Sequence, residues 1–121
     1  MLSAAVQSTL VNIITNTFFA IGDEEIQTPW CVHSEIQTPE RLKKGVVGYS
    51  YDVEIAIVDN SPDDIETLKN QVRTAIEALE GTTTQGTGIE IVEYLNDAPD
   101  FDQESKLYVN ILRFVIQTSN I

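Results

Sequence analysis

Cys31, His33 and Glu35 stand at alternate positions in a short run, residues 30–36, whose composition suits a β-strand. Thiol, imidazole and carboxylate on one strand face invite two kinds of chemistry, zinc ligation and thiol catalysis. Alternate strand residues lie ~7 Å apart, and Cys31 to Glu35 spans ~13 Å. A tetrahedral zinc needs its ligand atoms within ~2.3 Å of one point, so three in-line side chains do not converge without a bulge. As a nucleophilic pair, Cys31 and His33 have no sequence-visible group to orient the imidazole, and the chain holds no second histidine. Packing, or a half-exposed strand face, is the reading that fits.

Three other clusters carry reactive or charged groups. Asp97, Asp100, Asp102 and Glu104 resemble a calcium loop in acid content, but they lack its central glycine and its spacing. A solvated acidic hairpin tip is the plainer reading. Residues 81–88 hold three glycines and no lysine. They follow a helical pattern rather than a strand, so they read as a flexible loop and not as a phosphate cradle. Arg41, Lys43 and Lys44 form a small basic cluster without interleaved aromatics, too little for a nucleic-acid patch. They fit either a solvated loop or a contact with an acidic surface of a sister subunit. No pair among the acids is marked for glycoside chemistry. The chain is therefore not expected to be an enzyme, and no cofactor or metal is expected.

Composition narrows the partners. The 121 residues, 42% of them hydrophobic, fit one domain with one ordinary core. Seven basic against 19 acidic residues give a formal charge of -12. That charge disfavours binding to nucleic acid or to an anionic membrane surface. One cysteine permits no intrachain disulfide, so a reducing compartment is the simpler assumption. Residues 1–21 are apolar but lack a basic start and are interrupted by Gln7, Ser8, Thr9, Asn12, Thr15 and Asn16. They read as neither a signal peptide nor a membrane span, which leaves the cytoplasm as the default.

The elements that must position these groups can be read in turn. Residues 3–18 predict a helix, with Val6, Leu10, Ile13, Ile14 and Phe18 at helical spacing and no charge before Asp23. An uncharged polar helix face fits burial against another element or subunit. Residues 22–29 read as an acidic connector, 30–36 as a strand and 37–48 as a loop or hairpin tip. The repeat of Glu-Ile-Gln-Thr-Pro at 25–29 and 35–39 is too short an echo to define a repeat fold. Residues 49–58 alternate apolar and polar, the clearest strand pattern. Ser61, Pro62, Asp63 and Asp64 then announce a helix with Ile65, Leu68, Val72, Ile76 and Leu79 as its apolar stripe and Gly81 as its stop. Residues 89–95 and 105–118 predict two more strands with an acidic turn between them. In the last strand Leu107, Val109, Ile111 and Val115 point one way, and Tyr108, Leu112, Phe114 and Ile116 the other. Both faces are apolar, so the N-terminal helix or a neighbouring subunit must cover the second one. The expectation is an α+β domain of order α-β-β-α-β-β, with a four-stranded, mostly antiparallel sheet and helices packed on it.

This arrangement resembles the tail-terminator or tail-completion proteins of long-tailed bacteriophages and prophages. The likeness rests on the N-terminal helix, the Pro29-Trp30 strand opening and the polar loop ending in glycine. It rests also on the strand Tyr49-Ser-Tyr-Asp-Val-Glu-Ile-Ala-Ile-Val58, the capped helix and the final Leu107-Tyr-Val-Asn-Ile-Leu-Arg-Phe114 strand. It implies a structural protein without catalytic residues, assembled as a hexameric ring at the head-proximal end of the tail tube. The implied partners are copies of itself, tail-tube proteins and neck or head-completion proteins, with DNA passing through the ring. Assembly in the host cytoplasm and residence in the virion tail follow from the same resemblance. Arg41, Lys43, Lys44, Tyr108, Leu112 and Phe114 are the expected subunit-contact residues. A small dimeric ligand-binding or regulatory α+β module is the alternative reading, and an enzyme using Cys31 and His33 a third.

Overall fold

The computed structural model describes residues 2–19, 28–42 and 45–119. The chain runs α1 (Leu2–Val11), β1 (Asn16–Phe19), β2 (Trp30–Leu42), β3 (Gly45–Asp59), α2 (Pro62–Glu77), β4 (Thr83–Thr84), β5 (Thr87–Asp102) and β6 (Leu107–Ser119). The strands form one sheet in the order β1-β2-β3-β6-β5-β4. Five of them pair antiparallel, and β1 adds a parallel sixth at the β2 edge. The class is α+β, as the residue pattern predicts, but the sheet has six strands rather than four, and β1 and β4 alter the expected order.

The N-terminal helix ends at Val11, well short of the predicted residue 18. Ile13 and Ile14 close the last turn on the Leu10 carbonyl, and the chain then pairs with β2 from Asn16 to Phe19. The segment from Ile13 to Phe19 is rich in β-branched and aromatic residues. Those side chains fit a pleated sheet better than a helix turn, and a free strand edge is available to take the segment.

β2 and β5 outrun their predicted ends. β2 continues to Leu42 with a bulge at Glu40/Arg41, and β5 continues to Asp102 with irregularities at Ile89/Ile91 and Tyr94/Asn96. Each extension contains a proline, Pro39 or Pro99. Proline has no N–H to give to a ladder and is tolerated where one side of a strand is unpaired. β1 pairs only with residues 30–33 of β2, and β4 only with Thr87 and Gly88 of β5. Among the described residues both prolines therefore lie on free edges, where they also discourage edge-to-edge aggregation.

α2 matches its sequence signals. The Ser61 side chain accepts the Asp64 N–H at 3.4 Å, Pro62 opens the first turn, and Asp63 and Asp64 sit at the positive end of the dipole. Both helices pack on one face of the sheet, α1 over β1 and β2, and α2 over β3, β6 and β5. The core is the layer between them. Leu2, Val6 and Leu10 of α1 and Ile65, Val72 and Ile76 of α2 meet Val53, Ile55, Ile57, Leu112, Phe114 and Ile116. At Gly48 the strands approach so closely that a Cβ would stand 2.3 Å from the Thr118 carbonyl oxygen, so only glycine fits.

Candidate functional site

The Cys31–His33–Glu35 row faces inward beneath α1. Cys31 and His33 are fully buried, and the Glu35 side chain is 2% exposed. His33 Nδ1 meets Glu35 Oε1 at 2.6 Å, and Nε2 meets Gln7 Oε1 at 2.6 Å. Gln7 Nε2 in turn donates to the Thr17 carbonyl at 3.1 Å. Cys31 Sγ faces the Thr17 hydroxyl at 3.2 Å, and burial pushes its thiol pKa up, only partly offset by that hydroxyl. A thiol held protonated is a poor nucleophile, and both imidazole nitrogens are engaged by Glu35 and Gln7. The row is a polar tie between α1, β1 and β2. Among the described residues no three His, Cys, Asp or Glu side chains are placed to hold a metal ion.

This tie also accounts for the uncharged helix. Gln7 is spent on His33 and Thr17, while Ser8 and Thr9 hydroxyls donate back to the Ala5 carbonyl. Gln7, Ser8 and Thr9 of α1 thus find their partners within the chain.

The acidic segment divides. Asp97 lies on the helix-covered face, where Tyr94 OH donates to Oδ1 and Asn110 Nδ2 donates to Oδ2 at 3.3 Å. Lys69 of α2 stands 3.7 Å away, and Arg73 lies 3.8 Å over the Tyr94 ring. These contacts fasten α2 to β5. Asp100 and Asp102 instead accept N–H groups of their own hairpin, from Phe101 and Glu104. The Gly81–Gly88 region is a tight hairpin, with Gly81 at φ 79° and Gly86 at φ 76°.

The Tyr94–Asp97 contact has a predictable pH signature. The Tyr94 hydroxyl donor, more than Asn110 or Lys69, holds the Asp97 carboxyl below its ordinary 3.8. Burial, then the Asp97 hydrogen bond, pushes Tyr94 up to about 12. A lowered acid contributes stability that is complete above its unfolded value and is lost as pH falls through the folded value. A raised tyrosine contributes stability that is complete below pH 10 and is lost as pH rises toward about 12. Tyr94→Phe removes both contributions. Its stability relative to the parent, followed by urea denaturation, is expected to be lowest near neutrality and to converge at both extremes.

Of the expected contact residues, Leu112 and Phe114 are 0% and 1% exposed within the single chain. They are core side chains, because α2 covers the even-numbered face of β6. Tyr108 is half-buried, its ring 4.7 Å from that of Phe101. Arg41 belongs to the end of β2, and Lys43 and Lys44 lie outside the described residues. The uncovered face is the odd-numbered one. There Val109, Ile111 and Val115 stand half-buried beside Val32, Ala56 and Ala98, with neither helix over them. Exposed Ile36, Ile91 and Leu95 lie toward the other end of the sheet. A polar row crosses the face, with Arg113 donating to Glu54 at 3.0 Å and to Asn96 at 3.4 Å. Sequence alternation separates the two faces correctly, but which one the helices cover depends on long-range packing.

Concavities lie on both sides of the sheet. An open, wholly uncharged groove of about 740 Å³ runs between α1 and α2 past Ile13, Asn70, Gln71 and Thr74. A cleft of about 490 Å³ lies where the β5–β6 hairpin meets the Trp30 end of the sheet.

The fold and this surface describe a small α+β domain with one helix-covered and one open sheet face. A chain of the virion of a native gene transfer agent particle shares the fold, with a TM-score of 0.76 over 98% of this chain and 95% of that one. Their sequences are 14% identical, so the likeness defines architecture. No protein-family model and no curated protein matches the sequence. Among the described residues no helix is long and apolar enough to cross a membrane.

Proposed function

We propose that this chain is a structural subunit of a phage-like virion, a tail-terminator or tail-completion protein without catalytic activity. Copies close into a ring, a hexamer, that caps the tail tube and joins it to head or neck proteins. The observation that carries the reading is the near end-to-end likeness in fold to a chain of a gene transfer agent virion. The open sheet face supports it, since half-buried Val109, Ile111 and Val115 gain a partner to cover them. So does the charge of -12, because an acidic ring repels phosphates and lets DNA slide through. The site of action on this reading is the virion tail, after assembly in the host cytoplasm.

Light scattering with negative-stain imaging tests it. The expected result is a ring of about six times the 13.5 kDa chain mass, or a single chain that forms such a ring only on added tail tubes. A stable two-chain particle that melts higher with a small ligand would favour the dimeric binding module instead.

A further inference from the structure

The cleft at the β5–β6 hairpin has a mixed lining. Its floor is apolar, with Trp30, Val58 and Val109 forming one cross-strand row and Leu107 beside them. Its rim is acidic, made by Asp102 and Glu104. The Glu104 N–H donates to Asp102 Oδ1 at 3.0 Å, which fixes the turn that carries both carboxylates. Neither residue forms an ion pair among the described residues. An apolar floor under an anionic rim suits a lysine or arginine side chain, whose stem packs while its head meets charge. The indole of Trp30 adds a favourable surface for a cation.

The chain's own basic residues indicate the source. Of seven, Lys69, Arg73 and Arg113 are paired with Glu66, Glu77 and Glu54, and Lys106 stands in the same hairpin as the rim. The remaining three are Arg41, at the end of β2, and Lys43 and Lys44, which follow it in sequence outside the described residues. Strand register puts the Arg41–Leu42 end of β2 and the Gly45 start of β3 at the opposite end of the sheet. Gly48 of β3 pairs with Ser119, whereas Asp59 pairs with Tyr108 beside the cleft. The distance along β2 from Trp30 to Leu42 is about 40 Å, so a chain does not fill its own cleft.

We propose that this cleft receives the basic segment 41–44 of a second copy, in a head-to-tail contact. It rests on the assembly reading above and supplies one of its contacts. A head-to-tail contact is heterologous, the kind that generates a ring when its rotation closes.

Charge reversal tests the contact in the assembled protein. Asp102→Lys/Glu104→Lys and Arg41→Glu/Lys43→Glu/Lys44→Glu are each expected to weaken assembly by about tenfold or more. An equimolar mixture of the two is expected to regain it, because each unlike neighbour then presents opposite charge. Wild-type assembly by either variant alone overturns the proposal. If the wild type is a single chain, a peptide of residues 38–48 is titrated against the emission of Trp30, the only tryptophan. A shift that is lost with glutamate at 41, 43 and 44, and lost in Asp102→Asn/Glu104→Gln, supports the contact. An unresponsive Trp30, or a shift that survives both changes, overturns it. Six-chain particles indifferent to charge reversal leave the ring reading standing without this cleft. A lone chain that binds the peptide and never forms rings on tail tubes keeps the cleft and counts against the ring.

Discussion

Phe114→Ala is expected to lower the free energy of unfolding by about 3–5 kcal/mol, equally at low and high protein concentration. Phe114 sits in the middle of β6, 1% exposed, with the Tyr94 ring edge-on at a centroid distance of 5.4 Å. Its neighbours across the ladder are Val53 on β3 and Tyr94 on β5. Truncation removes a ring from a close-packed layer pinned between a sheet and α2. The strands cannot move inward without breaking ladder hydrogen bonds, so much of the cavity persists. The independence from concentration separates two roles. A core residue destabilises the single chain, whereas an interface residue lowers the midpoint only where chains are associated. Urea unfolding at two concentrations a hundredfold apart reads the difference. A loss seen only at the higher concentration would return Phe114 to the subunit interface suggested by its strand's two apolar faces.

That test bears on what the amino-acid pattern could and could not reveal. α2 is legible because its signals are local: Ser61 caps, Pro62 starts, and Ile65, Val72 and Ile76 repeat on one side within a few residues of each other. The alternation of β6 is equally local, and its two faces are separated correctly. Covering one of them is not local. It depends on α2 crossing β3, β6 and β5, and on α1 lying beside it, which no window of the sequence contains. The same reason hid β1, whose four residues become a strand only because β2 offers them an edge. The wet outer half of β5, with Asn96, Asp97, Asp100 and Asp102, has poor strand propensity and is held by its long pairing with β6. The inward row of Cys31, His33 and Glu35 was visible as a row, but its partner Gln7 lies 26 residues away. The one available signal was an amide placed one turn before Leu10, on the buried side of α1.

Glu35→Ala is expected to cost about 3–5 kcal/mol, as much as the loss of a core aromatic, although Glu35 itself supplies little net stability. Because the Gln7 amide nitrogen donates to the Thr17 carbonyl, its oxygen is the atom facing His33 Nε2, and it can only accept. Glu35 Oε1 meets the other ring nitrogen, Nδ1, at 2.6 Å, so the row ties both nitrogens of His33 to neighbouring side chains. Removing the carboxylate takes the Nδ1 contact away from a fully buried ring. Removing both partners is different. Glu35 Oε2 is already buried without a hydrogen bond, so the native pair carries a desolvation cost that its mutual attraction only partly offsets. His33→Leu/Glu35→Leu is therefore expected to recover most of the loss. The remaining deficit of about 1–3 kcal/mol comes from the part-buried Gln7 Oε1, which loses its His33 partner. A double-mutant cycle by urea denaturation measures the coupling. If the double variant is as unstable as Glu35→Ala, the row holds α1 against β2 by specific hydrogen bonding that apolar packing does not replace.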